Sequence, residues 1–266
     1  MHNKDTLGNL ESLSEQWGPN FVRYKEPMTD TFYSTSDPAL IAELAKQTKS
    51  ELAALYFNNR SGQSSTKWLH YLDTYDRYLS PYRNRPIRFL EIGIADGGSF
   101  AVWRPYFGPD AIIYGIDINE ACLPKVEKLG LNCHVRIGSQ DDAAFLRNVI
   151  EDMGGVDIVI DDGSHIAEHQ CTTFRILFPL LANGGLYICE DLHTSYWPAW
   201  QGGHRRSGTF VELIKDMIDS IHTWYVPLTN DLADMRLHRI VPAIHIHDSL
   251  VVIEKMPVEP PTMVTV

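Results

Sequence analysis

The sequence predicts an α/β fold with a mostly parallel, seven-stranded sheet that ends in an antiparallel hairpin and follows an N-terminal helical extension. Two observations support this prediction. Between residues 87 and 190, short apolar runs alternate with segments of helical periodicity, which is typical of parallel strands joined by crossover helices. Near the C-terminus, only three residues, 247–249, separate two apolar runs, and so short a connection favours an antiparallel pair.

The N-terminal extension is predicted to comprise residues 1–66. Residues 1–35 contain several aromatic residues and are expected to form an arm that packs on its own domain or on a second subunit. Asp37 and Pro38 suit an N-cap and the first helical position. Apolar residues then recur at helical spacing to about Phe57. A polar loop over 58–66 ends the extension.

The main domain is predicted to comprise residues 67–256 and to open with a helix over 67–79. Strands are predicted over 87–92, 112–117, 132–137, 156–161 and 185–190, with helices near 97–107, 120–129, 141–152, 167–182 and 208–223. The sequence Asn183-Gly184-Gly185 is interpreted as the end of a helix. The hairpin strands are expected over 240–246 and 250–253, and residues 257–266 are expected to be a loose tail.

The composition limits the possible partners. The formal net charge of −11 disfavours a nucleic-acid partner, because nucleic-acid binding relies on cationic side chains that neutralise phosphates. No apolar run approaches the ~20 residues that a membrane helix needs. The first residues lack the apolar core of a signal peptide. We therefore expect a cytoplasmic protein without a membrane partner.

The first predicted strand ends in a glycine-containing joint. Glu91-Ile92-Gly93 closes the strand, and Gly97 and Gly98 follow before the next helix. Glycine permits positive φ and lets a ligand approach the backbone closely, so the joint is interpreted as a nucleotide-type loop, although an ordinary strand–turn–helix joint has the same pattern. No Lys follows the glycines, which excludes a phosphate-binding loop of the G-x-x-x-x-G-K type.

Polar residues end the following strands as well. Asp117 closes the second strand, at a position where an acidic residue commonly bonds a ribose hydroxyl. Ser139, Gln140 and Asp141 follow the third strand, and Asp161 closes the fourth. Because the carboxyl ends of parallel strands meet at one edge of the sheet, the sequence predicts one ligand that lies across these strand ends.

Acidic residues cluster at two neighbouring strand ends. Asp161 and Asp162 end the fourth strand, and Glu190 and Asp191 end the fifth. Adjacent strands lie about 4.8 Å apart, so these carboxylates would repel one another unless a hard divalent cation such as Mg²⁺ or Ca²⁺ joined them. The alternative is that some of these acids cap helices or bond a cofactor, which is the preferred interpretation for Asp161 only.

A histidine and two aromatic residues complete the candidate site. His165 follows Asp162 by three residues, and an imidazole there is placed to act as a general base near neutral pH. The alternative is a structural histidine. Tyr196 and Trp197 lie in a loop with glycine hinges, which suits either a lid that contacts the substrate or an oligomer contact. Lys67, His70 and Tyr71 precede the first strand, and they either reach the cofactor or form the solvated flank of a helix.

These motifs together resemble the metal-dependent sugar O-methyltransferases. The group includes mycinamicin-type macrolide sugar O-methyltransferases, mycobacterial mannoside and rhamnoside O-methyltransferases, and cephalosporin-hydroxylase-like proteins. The resemblance covers about residues 67–196 and implies the Rossmann-like class I methyltransferase fold. It implies S-adenosylmethionine held by Glu91, Gly93, Asp117, Ser139, Gln140, Asp141 and Asp161. It implies Mg²⁺, or another divalent cation, held by Asp162, Glu190 and Asp191, with His165 as the base.

Several functions remain open at this level. The leading hypothesis is methyl transfer from S-adenosylmethionine to a hydroxyl of a sugar or glycoside, by a homo-oligomer of two or four subunits. The same ion would also serve O-methylation of a catechol or another vicinal diol. A third hypothesis is an accessory protein that binds S-adenosylmethionine without turnover. A nicotinamide-dependent oxidoreductase is the fourth hypothesis, and the C-terminal hairpin disfavours it.

Overall fold

The computed structural model describes residues 38–226 and 232–266, and one seven-stranded sheet organises them. The strand order is β3-β2-β1-β4-β5-β7-β6, in which β1 to β5 are parallel and β7 is antiparallel to both of its neighbours. The strands are β1 Arg88–Ile92, β2 Ile112–Asp117, β3 His134–Ile137, β4 Val156–Asp161, β5 Leu181–Cys189, β6 Ile244–His247 and β7 Leu250–Lys255. The predicted parallel sheet with a C-terminal antiparallel hairpin is thus confirmed.

Helices cover both faces of this sheet. They are α1 Pro38–Gln47, α2 Glu51–Phe57, α3 Leu69–Leu79, α4 Phe100–Phe107, α5 Leu123–Glu127, α6 Ala143–Met153, α7 Ala167–Leu180 and α8 Phe210–Ile221. Alternate residues of β1 enter different apolar clusters: Phe89 packs with residues of α2 to α5, whereas Leu90 and Ile92 pack with residues of α6 to α8. The central strands are therefore buried on both faces, which explains why the sequence shows continuous apolar runs there.

The predicted continuous helix up to Phe57 is wrong. Two helices occupy this stretch, because residues 48–50 leave the helical conformation after α1 ends at Gln47. Ser50 adopts an extended conformation, and its Oγ accepts a hydrogen bond from the backbone N of Ala53 at 2.9 Å. Ser50 is thus the N-cap of α2. The predicted N-cap Asp37 and the predicted arm over residues 1–35 lie outside the described residues.

The interpretation of Asn183-Gly184-Gly185 as a helix end is also wrong. The helix α7 ends at Leu180, and residues 183–185 belong to β5. The pairing of β4 with β5 shifts register between Val156 and Ile158, so extra residues of β5 bulge at this point. Gly184 has φ +80° there, which glycine adopts without strain. The glycines accommodate an irregular strand rather than end a helix.

Other element bounds shift by a few residues. The predicted helix over 120–129 is a 3₁₀ turn over Glu120–Cys122 followed by the short helix α5. The first hairpin strand begins at Ile244, whereas the sequence predicted it from residue 240. A 3₁₀ turn over Leu237–Arg239 comes before it, and the backbone N of Met256 donates to the carbonyl of Ile240 at 2.9 Å.

An ion pair between β1 and β4 gives a testable pH dependence. The Nε of Arg88 donates to Oδ2 of Asp157 and its Nη2 donates to Oδ1, both at 2.8 Å. Burial raises the pKa of Asp157, but the bonds from Arg88 outweigh it and hold this pKa below its usual value. A lowered carboxyl pKa stabilises the fold at pH values above the unfolded-state pKa of about 3.9, and this stabilisation is lost as the pH falls through the folded-state pKa.

We therefore expect Asp157→Asn to lower the melting temperature clearly at pH 7 and much less near pH 3. Thermal unfolding followed by circular dichroism at both pH values measures this difference. The exposed Asp110→Asn is the matched control and should change neither curve. A decrease in melting temperature of equal size at both pH values would show that Asp157 contributes by packing and not by charge.

Candidate active site

The carboxyl ends of five strands form one continuous edge. Four backbone hydrogen bonds join neighbouring strand ends, and all of them measure 2.9 to 3.0 Å. The bonds run from Gly138 to Asp117, from Gly93 to Ile116, from Asp162 to Ile92 and from Glu190 to Asp161. The residues that the sequence predicted at separate strand ends therefore lie along one line.

Gly93 is required by the close approach of two strand ends. Its φ is +83°, and a Cβ on it would lie 2.1 Å from the backbone O of Asp162. The sequence interpretation assigned this glycine to the approach of a ligand. In the structure the backbone that follows β4 occupies the space, so any side chain would force β1 and β4 apart.

Asp117 holds the glycine loop in place. Its Oδ2 accepts from the backbone N of Ala95 at 2.9 Å, and its Oδ1 accepts from the backbone N of Asn119 at 2.8 Å. Ala95 has φ +46°, a conformation that is uncommon for a residue other than glycine. The half-buried carboxylate thus sits between the loops that follow β1 and β2, with spare acceptor positions for a ligand hydroxyl.

The loops after β3 and β4 are linked by polar side chains. Ser139 donates to Asp141, and this bond lowers the pKa of the Asp141 carboxyl. The Nε2 of His169 lies 3.5 Å from Oδ2 of Asp141, while its Nδ1 lies 2.9 Å from Oγ of Ser164. His169 therefore bridges the two loops.

Three of the predicted cofactor residues are buried and bonded to protein groups. Glu91 accepts from Oγ of Ser99 at 2.6 Å. Asp161 accepts from the Tyr187 hydroxyl at 2.9 Å and from Nε2 of Gln140 at 3.1 Å. Burial raises the pKa of Asp161 to about 7, against the lowering effect of the Tyr187 bond. These three side chains form the floor of the edge, while Asp117, Ser139 and Asp141 remain accessible from outside.

Two carboxylates and one imidazole converge at the ends of β4 and β5. The Nε2 of His165 lies 3.7 Å from Oδ1 of Asp162 and 3.6 Å from Oδ2 of Asp191. One ligand atom from each of the three residues lies within 4.8 Å of the others. Oxygen donors at this separation suit a hard divalent cation. The two carboxylates therefore suit Mg²⁺, and the three residues together could hold a metal ion.

Two of these residues have left-handed backbones. His165 has φ +57° and Asp191 has φ +55°, and such conformations in residues other than glycine cost of order 1–3 kcal/mol. The Oγ1 of Thr194 donates to the carbonyl of His165 at 3.2 Å and to the carbonyl of Asp191 at 2.7 Å. One threonine hydroxyl thus links the two left-handed turns.

Glu190 lies beside this group but its carboxylate is engaged elsewhere. Its Oε1 accepts from Nζ of Lys67 at 2.6 Å and also from the hydroxyl of Tyr75. Lys67 also donates to Asp162. Burial and the charge of Asp162 raise the pKa of Glu190 to about 8, while Lys67 lowers it. The sequence placed Glu190 among the metal ligands, and the structure places it next to the ligand group with a lysine between it and Asp162.

Asp191 is held by Tyr71 of α3 and by Trp68, the residue that precedes this helix. Its Oδ1 accepts from the Tyr71 hydroxyl at 2.9 Å and from Nε1 of Trp68 at 3.1 Å, which leaves Oδ2 towards His165. The sequence analysis missed Trp68 and Tyr75. The available signal was the spacing of Lys67, Tyr71 and Tyr75, because residues four apart share one face of a helix. His70, in contrast, bonds the carbonyl of Asp248 at 3.0 Å.

An aromatic row borders the acidic group. The ring of His193 lies 5.7 Å from that of Trp68 and 4.5 Å from that of Trp197, measured between centroids. Trp197 in turn lies 5.3 Å from Trp200. Tyr196 remains 48% exposed. The two residues predicted to contact the acceptor substrate thus both lie in the segment after β5. Trp197 lies within the row, and Tyr196 is open to solvent.

Comparison with known proteins identifies the class. Residues 90–192 match the family model described as a methyltransferase domain. The sheet order with its antiparallel end is that of the class I methyltransferase fold, as in the solved structure of MycE. The chain is therefore similar to methyltransferases over residues 90–192, and its sheet has the class I fold, as the sequence predicted.

The curated relatives are O-methyltransferases named for sugar-bearing natural products. The chain is 37% identical over 201 residues to the 8-demethyl-8-alpha-L-rhamnosyl tetracenomycin-C 2'-O-methyltransferase of Streptomyces olivaceus, a match that covers 72% of this chain and 52% of the relative. It is 36% identical over 217 residues to the mycinamicin VI 2''-O-methyltransferase of Micromonospora griseorubida, which covers 77% and 52%. The chain spans about half the length of these relatives.

A solved structure supports the same placement. The MycE methyltransferase of the mycinamycin biosynthetic pathway, determined in complex with Mg, SAH and mycinamycin VI, matches with a TM-score of 0.65 and 36% identity. The match covers 78% of this chain and 53% of MycE. Within residues 38–226 and 232–266, none of the helices has the length and apolar character that crossing a bilayer requires.

Proposed function

We propose that this protein transfers the methyl group of S-adenosylmethionine to a sugar hydroxyl of a glycosylated small molecule, in a reaction that depends on Mg²⁺ or another divalent cation. The convergence of Asp162, His165 and Asp191 within 4.8 Å carries this proposal. The group lies on the same edge of the sheet as Asp117, so an acceptor beside it would also face the methyl donor. The relatives' activities and the Mg and SAH bound to MycE support it.

The methyl donor is proposed to lie over the ends of β1 to β3. Asp117 would accept from the ribose hydroxyls, because its carboxylate is fixed by two backbone N–H groups and faces the glycine loop. Ser139 and Asp141 would contact the adenine end from the loop after β3. Glu91, Gln140 and Asp161 would support these contacts from below, since they are buried and bonded within the protein.

The divalent cation is proposed to be held by oxygens of Asp162 and Asp191, with Glu190 beside them. When bound, such an ion stabilises negative charge on an acceptor oxygen and so makes a hydroxyl easier to deprotonate. Trp68 and Tyr71 bond Oδ1 of Asp191, so Oδ2 would remain available to an ion.

His165 is proposed as the general base. Its Nε2 is the ring nitrogen that faces the two carboxylates, so a hydroxyl held there would lie within reach of that nitrogen. Thr194 fixes the backbone on which the imidazole stands. The proton of the acceptor hydroxyl would pass to Nε2, and the oxygen would attack the methyl carbon of the sulfonium donor. The carbon–sulfur bond would break as the carbon–oxygen bond forms, and S-adenosylhomocysteine would leave.

The acceptor is proposed to enter beside the aromatic row. Aromatic faces pack well against the C–H faces of sugar rings and against planar aglycones. Trp197 would provide such a face next to His193, and the exposed Tyr196 would contact the part of the acceptor furthest from the ion. The predicted homo-oligomer and the domain limits at residues 66 and 256 stay predictions.

The test is methyl transfer from labelled S-adenosylmethionine to a panel of rhamnosylated polyketides, macrolide glycosides, simple rhamnosides and catechols, with Mg²⁺ or with EDTA. We expect label in glycosides only, and only with the metal. Equal labelling in EDTA would remove the metal from the mechanism. Labelling of catechols but not of glycosides would replace the sugar acceptor by a vicinal diol. Tight donor binding without any labelling would favour an accessory protein.

A further inference from the structure

Lys67 is a buried cation in contact with two acids of the proposed metal site. Its side chain is 5% exposed, and its Nζ donates to Asp162 and, at 2.6 Å, to Oε1 of Glu190. The side chain of Glu190 is 2% exposed, and the Tyr75 hydroxyl donates to the same oxygen. Lysine is rarely buried unless it is paired, so this arrangement has a specific electrostatic cause.

The charges around the site explain the lysine. Asp162, Glu190 and Asp191 together carry three negative charges when ionised, and buried like charges without a counter-ion are strongly unfavourable. The ammonium of Lys67 reduces the net charge of the group from −3 to −2, and one divalent cation neutralises that remainder. The buried Glu91 also acts on Lys67 through its charge. Lys67 thus lies where the electrostatic field of the acids is concentrated.

Resting on the proposed metal dependence, we propose that Lys67 is a built-in counter-ion of the cation site. It holds Asp162 and Glu190 together in the metal-free protein and sets the charge of the site so that one divalent ion completes it. Lys67 is therefore a positioning residue, because it acts through the carboxylates. It also opposes the ion, since an ammonium and a divalent cation that share Asp162 repel each other.

This proposal makes a prediction that a purely structural lysine does not. Lys67→Met keeps an unbranched side chain of similar length but removes the charge. The metal-free variant should melt at a lower temperature than the wild type. Mg²⁺ should raise its melting temperature by more than it raises that of the wild type. By linkage, the dissociation constant for Mg²⁺ should fall, by about tenfold, because the competing charge is absent.

Two further variants separate charge from folding. Lys67→Met combined with Glu190→Gln removes one charge of each sign, and should restore both the metal-free melting temperature and the Mg²⁺ affinity towards the wild type. Lys215→Met is the matched control, because Lys215 pairs with Glu212 on the surface of α8 at 2.5 Å. This control should leave Mg²⁺ binding unchanged.

Isothermal titration with MgCl₂ and thermal unfolding with and without EDTA measure these quantities without any acceptor substrate. An unchanged or weaker Mg²⁺ affinity in Lys67→Met, while the wild type binds Mg²⁺, would overturn the role of Lys67 alone. Absence of Mg²⁺ binding by the wild type would overturn the proposed function together with it. If Lys67→Met does not fold, the Mg²⁺ affinity of Glu190→Gln is compared with that of the double variant. The double variant should bind Mg²⁺ more tightly than Glu190→Gln, and the absence of this difference would overturn the proposal.

Discussion

Replacement of His165 by alanine is expected to lower kcat by about 10²–10⁴, the range typical for removal of a general base. The reason is geometric. The Nε2 of His165 faces the gap between Asp162 and Asp191, at 3.7 and 3.6 Å from their oxygens, where an acceptor hydroxyl is proposed to lie. Steady-state methyl transfer at saturating Mg²⁺ and donor measures the change.

The control for this variant must separate a base from a metal ligand. His165 belongs to the group whose atoms lie within 4.8 Å of one another, so its loss could also weaken metal binding. A base predicts a large fall in kcat with little change in the dissociation constant for Mg²⁺, whereas a ligand predicts weaker Mg²⁺ binding. The exposed His222→Ala, at the end of α8, should retain full activity. A loss of less than tenfold would make His165 a structural residue.

Replacement of Asp191 by alanine is expected to abolish metal-stimulated turnover while donor affinity stays within about twofold of the wild-type value. A bound metal supplies several kcal/mol of charge stabilisation, and losing it corresponds to a fall of at least about 10² in rate, since each 1.36 kcal/mol is tenfold. Donor affinity should persist because Asp191 belongs to the end of β5, whereas the proposed donor contacts lie on the loops after β1, β2 and β3.

The asparagine variant refines this test. Asp191→Asn keeps an oxygen that can accept from Trp68 and Tyr71, so it removes the charge but preserves the contacts with α3. It should therefore lose the response to Mg²⁺ as the alanine variant does, yet melt at a higher temperature than the alanine variant. Asp152→Asn, which breaks a surface pair with Arg136, serves as the control and should keep the wild-type response to Mg²⁺. Full turnover by Asp191→Asn in EDTA would contradict the proposed role.

The mostly parallel sheet with its antiparallel hairpin, and the edge that carries the site, could be predicted from the sequence. Each central strand is an apolar run that ends in polar residues, because the strands are buried on both faces and their carboxyl ends are open. That pattern predicts Asp117, Ser139 and Asp162 on one edge. It misplaced the limits of β5 and the break between α1 and α2, where a bulge and a serine cap override the apolar periodicity.

The sequence by itself therefore determined the fold class and the approach of Asp162, His165 and Asp191, because strand ends and short local motifs fix those positions. Only the tertiary structure decided that Glu190 pairs with Lys67, 123 residues earlier in the chain, and that Gly93 is needed to let the backbone of Asp162 pass. Both depend on contacts between elements that are distant in sequence. No local periodicity encodes such contacts, since they arise when α3 and the strand ends pack around the same group of charges.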